Sequence, residues 1–236
     1  IKGNIELTKV DKDYPDNRLT GAEFEVYADT NGDGKLDSGD KLLGTMTELD
    51  GGVYQMKELR YGKYLVREKT APTGFVLDEN VYSVSIEENG KTYIVENEAG
   101  VGFVNAAQKG SLKIVKTSSD GKIEGFSFRV TGANGYDQTF KTDKNGEIFI
   151  EGLRIGEYTV SEVNDSVSAG YILPADKQAT VKVGATTIVE MHNELRDTPK
   201  TGDDFNLALW VSLAVTSVLG AGVLGFVGFK KKKKED

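Results

Sequence analysis

Two halves of this chain repeat one pattern of short strands, and in each half three strands aim a lysine, a glutamate and an asparagine at the same side as their apolar residues. Ile5-Glu6-Leu7-Thr8-Lys9 matches Leu112-Lys113-Ile114-Val115-Lys116, and Gly21-Ala22-Glu23-Phe24-Glu25-Val26 matches Gly125-Phe126-Ser127-Phe128-Arg129-Val130. The run Leu59 to Glu68 matches Leu153 to Glu162, both are followed by Gly-aromatic-X-Leu (Gly74 to Leu77, Gly170 to Leu173), and Val101 to Asn105 matches Val189 to Asn193. Side chains alternate faces along a strand. Ile5, Leu7 and Lys9 therefore share a face, as do Tyr64, Val66 and Glu68, and Val101, Phe103 and Asn105. The second copy repeats this with Leu112, Ile114 and Lys116, with Tyr158, Val160 and Glu162, and with Val189, Met191 and Asn193.

Strand-length runs broken by Gly, Asn and Asp, with no useful helical periodicity before residue 207, predict an all-β fold. Two sandwiches of about 100 residues are expected, each with one modest core. Their expected spans are 1–107 and 108–196, joined by the short linker Ala106 to Gly110. The sequence has no cysteine, so any covalent reinforcement must use other chemistry than a disulfide.

A lone lysine or glutamate in apolar surroundings shifts toward its neutral form, the lysine pKa down and the glutamate pKa up. Neutral amine is a nucleophile. A protonated glutamate can hydrogen-bond an asparagine carboxamide and move protons while the amine attacks its carbonyl carbon and ammonia leaves. Held at contact by the fold, such a pair reaches the effective molarity that this reaction needs. The sequence thus predicts Lys9–Asn105 and Lys116–Asn193 isopeptide crosslinks, promoted by Glu68 and Glu162. The plainer alternative is that these charges sit at strand ends and make surface pairs.

Both repeats resemble the Cna B-type and SpaA-type domains of bacterial surface proteins through Gly-Ala-X-Phe, Tyr-X-Val-X-Glu and the terminal asparagine. The resemblance implies prealbumin-like (Ig-like) β-sandwiches and places the family's bond-forming triad on the six residues just named. Repeat one keeps Glu68-Lys69-Thr70-Ala71-Pro72-Thr73-Gly74-Phe75, close to the family's Glu-X-X-Ala-Pro-X-Gly-Tyr. Repeat two replaces the Ala-Pro segment with Asn164 to Ala169 and has Met191 where an aromatic is commoner.

Repeat one carries an insert, residues 29–40, with oxygen-bearing side chains at Asp29, Asn31, Asp33, Asp37 and Asp40 and Gly34 at the turn. With the carbonyl of Lys35 this is the ligand spacing of an EF-hand-type calcium loop, so Ca2+ is the one expected cofactor. It departs from that pattern in following a strand and in ending on Asp40 instead of glutamate. A polar hairpin turn rich in Asx and Gly is the alternative.

The C-terminus, 197–236, has three parts: Thr198-Pro199-Lys200-Thr201-Gly202-Asp203, an uncharged apolar run over 207–229, and lysines at 230–234. The run is long enough to cross a bilayer as a transmembrane helix, and the lysines belong on the cytoplasmic side, which puts the sandwiches outside the cell. A plain tail anchor would meet those criteria. The composite resembles the LPXTG-type sorting signal, which implies that the transpeptidase sortase cleaves Thr201–Gly202 and transfers Thr201 to an amine of cell-wall peptidoglycan or to a pilin lysine. Contact with the membrane through 207–229 would then be transient. Thr198 departs from the usual leucine. Cleavage would remove five lysines and four acidic residues, taking the net charge from −8 to near −9, which disfavours nucleic acid as a partner.

His192, the single histidine, is out of phase with the core and is expected to be exposed. With no cysteine nucleophile, His-containing triad or phosphate loop, a turnover enzyme is not expected. The chain lacks an initiator Met and is expected to be the C-terminal piece of a longer protein. These features together predict the stalk of an extracellular, wall-anchored adhesin. Three alternatives are an anchor or tip pilin, a module binding matrix protein or glycan, and a wall-acting enzyme with its catalytic domain upstream, where host ligands are also expected to bind.

Overall fold

The computed structural model describes residues 1–197. The motif 198–203 with Thr201 and Gly202, the apolar run 207–229 and the basic tail 230–234 lie outside the described residues. Among the described residues no helix is long and apolar enough to cross a membrane.

The described chain is all-β, with one short 3-10 turn at Ala133–Gly135. Repeat one contains β1 (Lys2–Asp11), β2 (Glu23–Ala28), β3 (Lys41–Thr45), β4 (Thr47–Leu49), β5 (Val53–Arg60), β6 (Gly62–Thr70), β7 (Val81–Ile86), β8 (Thr92–Ile94) and β9 (Phe103–Asn105). One sheet runs β4-β5-β1-β8, with β9 also on β1, and the other runs β3-β2-β6-β7. Repeat two contains β10 (Lys109–Ser118), β11 (Ser127–Gly132), β12 (Tyr136–Lys141), β13 (Glu147–Arg154), β14 (Gly156–Glu162), β15 (Tyr171–Ile172), β16 (Lys177–Val181) and β17 (Thr186–Leu195). Its sheets run β13-β10-β17-β15 and β12-β11-β14-β16.

Each repeat has its own core. Ile5, Leu7, Phe24, Val26, Tyr54, Val66 and Phe103 pack together in the first, and Leu112, Ile114, Phe126, Phe128, Tyr158, Val160 and Met191 in the second. The internal repeat extends to irregularities: the register slips between Gly3 and Ile5 in β1 and between Gly110 and Leu112 in β10. Glu58 and its counterpart Gly152 both have positive φ, 62° and 70°. Glycine adopts that backbone at little cost, whereas glutamate is strained there.

The repeats differ where the last strand meets the first. In repeat two β17 runs parallel to β10 without a break from Ser111↔Thr186 to Ser118↔Asn193. In repeat one the partner is split, with β8 pairing Asn4 to Glu6 and β9 pairing Lys9 to Asp11. The strand that carries Asn105 is therefore only three residues long.

Candidate functional site: a buried lysine, glutamate and asparagine in each repeat

In repeat one β1, β6 and β9 deliver Lys9, Glu68 and Asn105 to one point between the sheets. All three are buried, Lys9 completely. Lys9 Nζ donates a hydrogen bond to Asn105 Oδ1 and another, at 3.2 Å, to the Phe103 carbonyl, and it lies 3.3 Å from Glu68 Oε1. Asn105 Nδ2 donates to both Glu68 oxygens, at 2.9 and 2.8 Å. The aromatic wall is Phe103, its ring centroid 4.7 Å from Nζ, and Phe24 at 6.0 Å. Burial lowers the Lys9 pKa to about 8 even though the Glu68 carboxylate opposes the shift. The amine, the carboxyl group and the amide it would attack are thus in mutual contact.

Repeat two assembles the same residues with a different contact set. Lys116, Glu162 and Asn193 are buried, and Asn193 Nδ2 donates to Glu162 Oε1 at 2.7 Å. Lys116 Nζ instead donates to the carbonyl of Thr117 and lies 4.2 Å from the Phe126 ring centroid. Glu162 Oε2 and Asn193 Oδ1 are buried without a hydrogen-bond partner. Burial pushes the Glu162 pKa up, against the hydrogen bond from Asn193 and the charge of Lys116. Burial likewise lowers that of Lys116. Protonation of Glu162 would give Oε2 a donor in place of an unsatisfied lone pair.

Residues 29–40 form a self-capped loop, largely exposed but with Asp29 buried at its base. Asp29 accepts from the N–H groups of Gly32 and Gly34, at 2.7 and 3.0 Å, and Asn31, Asp33 and Asp37 accept from Asp33, Lys35 and Gly39. Asp40 accepts from Thr30 and Asp37, and Gly34 takes the positive φ (+77°) expected at the turn. The donors are hard oxygens and so match calcium in chemistry. Among the described residues, however, no three acidic or histidine side chains are grouped as a metal site. His192 is exposed and contacts Thr117 and Glu194.

The charged stretch Asp11 to Arg18 meets the second repeat at its first residue. Asp11 is buried and accepts two hydrogen bonds from Arg154 of the second repeat, at 2.6 and 2.8 Å. Arg154 also reaches Asp13 at 3.0 Å, where Lys109 joins it, and Tyr14 lies over the guanidinium, 4.8 Å from its ring centroid. The linker is bound from both sides, because Gln108 N–H donates to Gly74 and Ile155 N–H donates to Gln108. A strand-end aspartate and a strand-end arginine gave no signal in sequence that they face each other.

The family model for the SpaA prealbumin-like fold domain matches residues 3–99 and again residues 110–195. Among solved structures the chain is similar to the Bacillus anthracis TIE protein, at 26% identity and a TM-score of 0.63. That match covers 82% of this chain and 34% of the other, so this chain spans about a third of that protein's length. It is also similar in fold to the C-terminal fragment of the pilus adhesin SpaC from Lactobacillus rhamnosus GG, at 14% identity and a TM-score of 0.50, covering 83% and 98% of the two chains. No curated relative matches. The chain belongs to the SpaA prealbumin-like fold domain family and carries two such domains in tandem.

Proposed function

We propose that the two sandwiches are a stiff, covalently reinforced stalk of a Gram-positive surface protein, and that each repeat crosslinks itself once rather than turning over a substrate. The observation that carries this reading is the buried contact of Lys9 Nζ with Asn105 Oδ1 beside Glu68. In the reaction the neutral Lys9 amine attacks Asn105 Cγ, the Nζ–Cγ bond forms and the Cγ–Nδ2 bond breaks. Glu68 takes a proton from the amine and returns it to Nδ2, which leaves as ammonia. Repeat two would react alike once Lys116 Nζ turns from the Thr117 carbonyl to Asn193. The sandwich would then resist pulling because the bond ties the first strand directly to the last.

Attachment to the cell wall would run through Thr201 by way of sortase, with peptidoglycan or a pilin lysine as acceptor. Membership of the SpaA family supports a second reading, in which the chain is an anchor or tip subunit of a pilus. Recovery of the mature protein as a covalent ladder would favour the pilus subunit; recovery as one wall-linked species would favour the stalk. The loop 29–40 is proposed to bind calcium through Asp29, Asn31, Asp33, the Lys35 carbonyl, Asp37 and Asp40, an ion that would stiffen the insert. Calorimetry with millimolar calcium checks this, and absence of heat, or heat unchanged in Asp29→Ala with Asp33→Ala, rejects it.

A further inference from the structure

Three residues of β9 have to hold Asn105 against Lys9, and β9 is detached from β8 by the loop 95–102. So short a strand has little pairing of its own to fix its position. The side chain of Asn97 supplies what the neighbouring strand does not. Its Oδ1 accepts from the N–H of Val104 at 2.6 Å, and its Nδ2 donates to the Val104 carbonyl at 2.9 Å and to Asp78 Oδ2 at 2.7 Å. These three bonds use the acceptor and both donor hydrogens of the carboxamide, so its orientation is set. Asp78 in turn is held by Tyr82 Oη at 2.7 Å and by Asn80, and the Tyr82 ring packs edge-on against Phe103. The backbone N–H of Asp78 donates to Glu68 Oε2 at 2.8 Å.

We propose that Asn97 and Asp78 are positioning residues for the repeat-one crosslink: Asn97 fixes the strand carrying Asn105, and Asp78 fixes Glu68 from the same bracket. Neither side chain hydrogen-bonds Lys9 Nζ or the Asn105 carboxamide, between which the new bond forms. Repeat two shows what happens without the bracket. The isolated pair Phe75↔Ala107 and the pair Tyr171↔Leu195 hold equivalent places, two residues after Asn105 and Asn193. Counting on from them sets Asp78 against Pro174. Proline has no N–H to give, and Glu162 Oε2 is the oxygen left without a partner. There, the unbroken β17 places Asn193 instead.

This inference rests on the isopeptide reading above, and one experiment separates the two. The full chain is made in a cell-free pulse, and the joined Lys9–Asn105 and Lys116–Asn193 peptides are quantified by mass over time. Asn97→Ala is expected to slow the first crosslink roughly 10- to 100-fold, as a small misplacement of reacting groups does, and to leave the second unchanged as an internal control. Asn97→Asp sets two carboxylates against each other and should slow it as well. Adding Asp78→Asn restores the donor–acceptor pair between positions 97 and 78, though not the donor to the Val104 carbonyl, and should recover part of the rate, which loss of fold alone would not allow. Wild-type rate in Asn97→Ala, or no recovery in the double variant, overturns the inference and leaves the crosslink standing. Absence of any Lys9–Asn105 peptide from the unaltered chain overturns both.

Discussion

Replacing Arg154 with alanine removes the guanidinium that joins the two repeats and leaves Asp11 as a buried carboxylate. The pair is 12% and 3% exposed at its side chains, and Asp13, the second partner, is 37% exposed. Breaking a buried, hydrogen-bonded ion pair costs about 3–5 kcal/mol when one charge is left behind. Asp11 retains the N–H of Asp13 at 2.9 Å, which places the expected loss near the lower limit, about 3 kcal/mol. Asp11→Asn leaves Arg154 with Asp13 and should cost less, and the double variant should lose clearly less than the two single losses combined.

The pH dependence follows from Asp11. Burial opposes its ionisation, but the hydrogen bonds and charge of Arg154 outweigh burial and hold its pKa below the usual carboxylate value. A group depressed on folding stabilises above its unfolded pKa, near 3.9, and the contribution is lost as pH falls through the lower folded value. Urea denaturation from pH 3 to 7 should therefore show a gap between wild type and Arg154→Ala that is full near neutrality and shrinks in acid. A variant within about 0.5 kcal/mol of wild type, or strictly additive single losses, would refute the reasoning.

Three further outcomes are expected. Glu58→Gly should raise stability by about 0.5–1 kcal/mol in thermal or urea unfolding, because it relieves a positive φ while removing only an exposed pair with Lys2. The initial rate of repeat-one crosslinking, followed by mass from pH 6 to 9, should climb as Lys9 loses its proton around pH 8 and then flatten, whereas a pH-independent rate would contradict the neutral-amine step. In an uncrosslinked chain carrying Asn105→Ala, the unfolded state binds the Lys9 proton more tightly. Urea stability should then rise with pH between about 8 and the ordinary lysine value of 10.5.

Most of the fold and the inward placement of the six candidate residues were legible in the chain, and for one reason: strand parity is a two-residue rule that survives any detail of packing. It put Lys9, Glu68 and Asn105 on the core faces together, and the repeat supplied the same result for Lys116, Glu162 and Asn193. Their exact contacts were not legible. Nothing in the strand pattern turns Lys116 toward Thr117 instead of Asn193, because that is a rotamer choice beside Phe126. The break between β8 and β9 also escaped, since Thr92 to Asn105 alternates no worse than a continuous strand would. Asn97 and Asp78 act through a side-chain amide and a backbone N–H inside loops, where spacing carries no parity. The corresponding Pro174 could have been read as a missing donor once the Gly-aromatic-X-Leu runs were aligned. Asp11 and Arg154 belong to different repeats, and only the docking of the two repeats brings them together.

The central claim is that Lys9 and Asn105 become one covalent unit. Intact mass of the purified full chain under denaturing conditions, followed by sequencing of the joined peptides, tests it most directly. The account predicts a deficit of one ammonia for each crosslink, with fragments that span Lys9 and Asn105 and that disappear in Lys9→Ala and in Glu68→Ala. A chain at its full calculated mass, or an ammonia deficit within repeat one that survives Lys9→Ala, would contradict it.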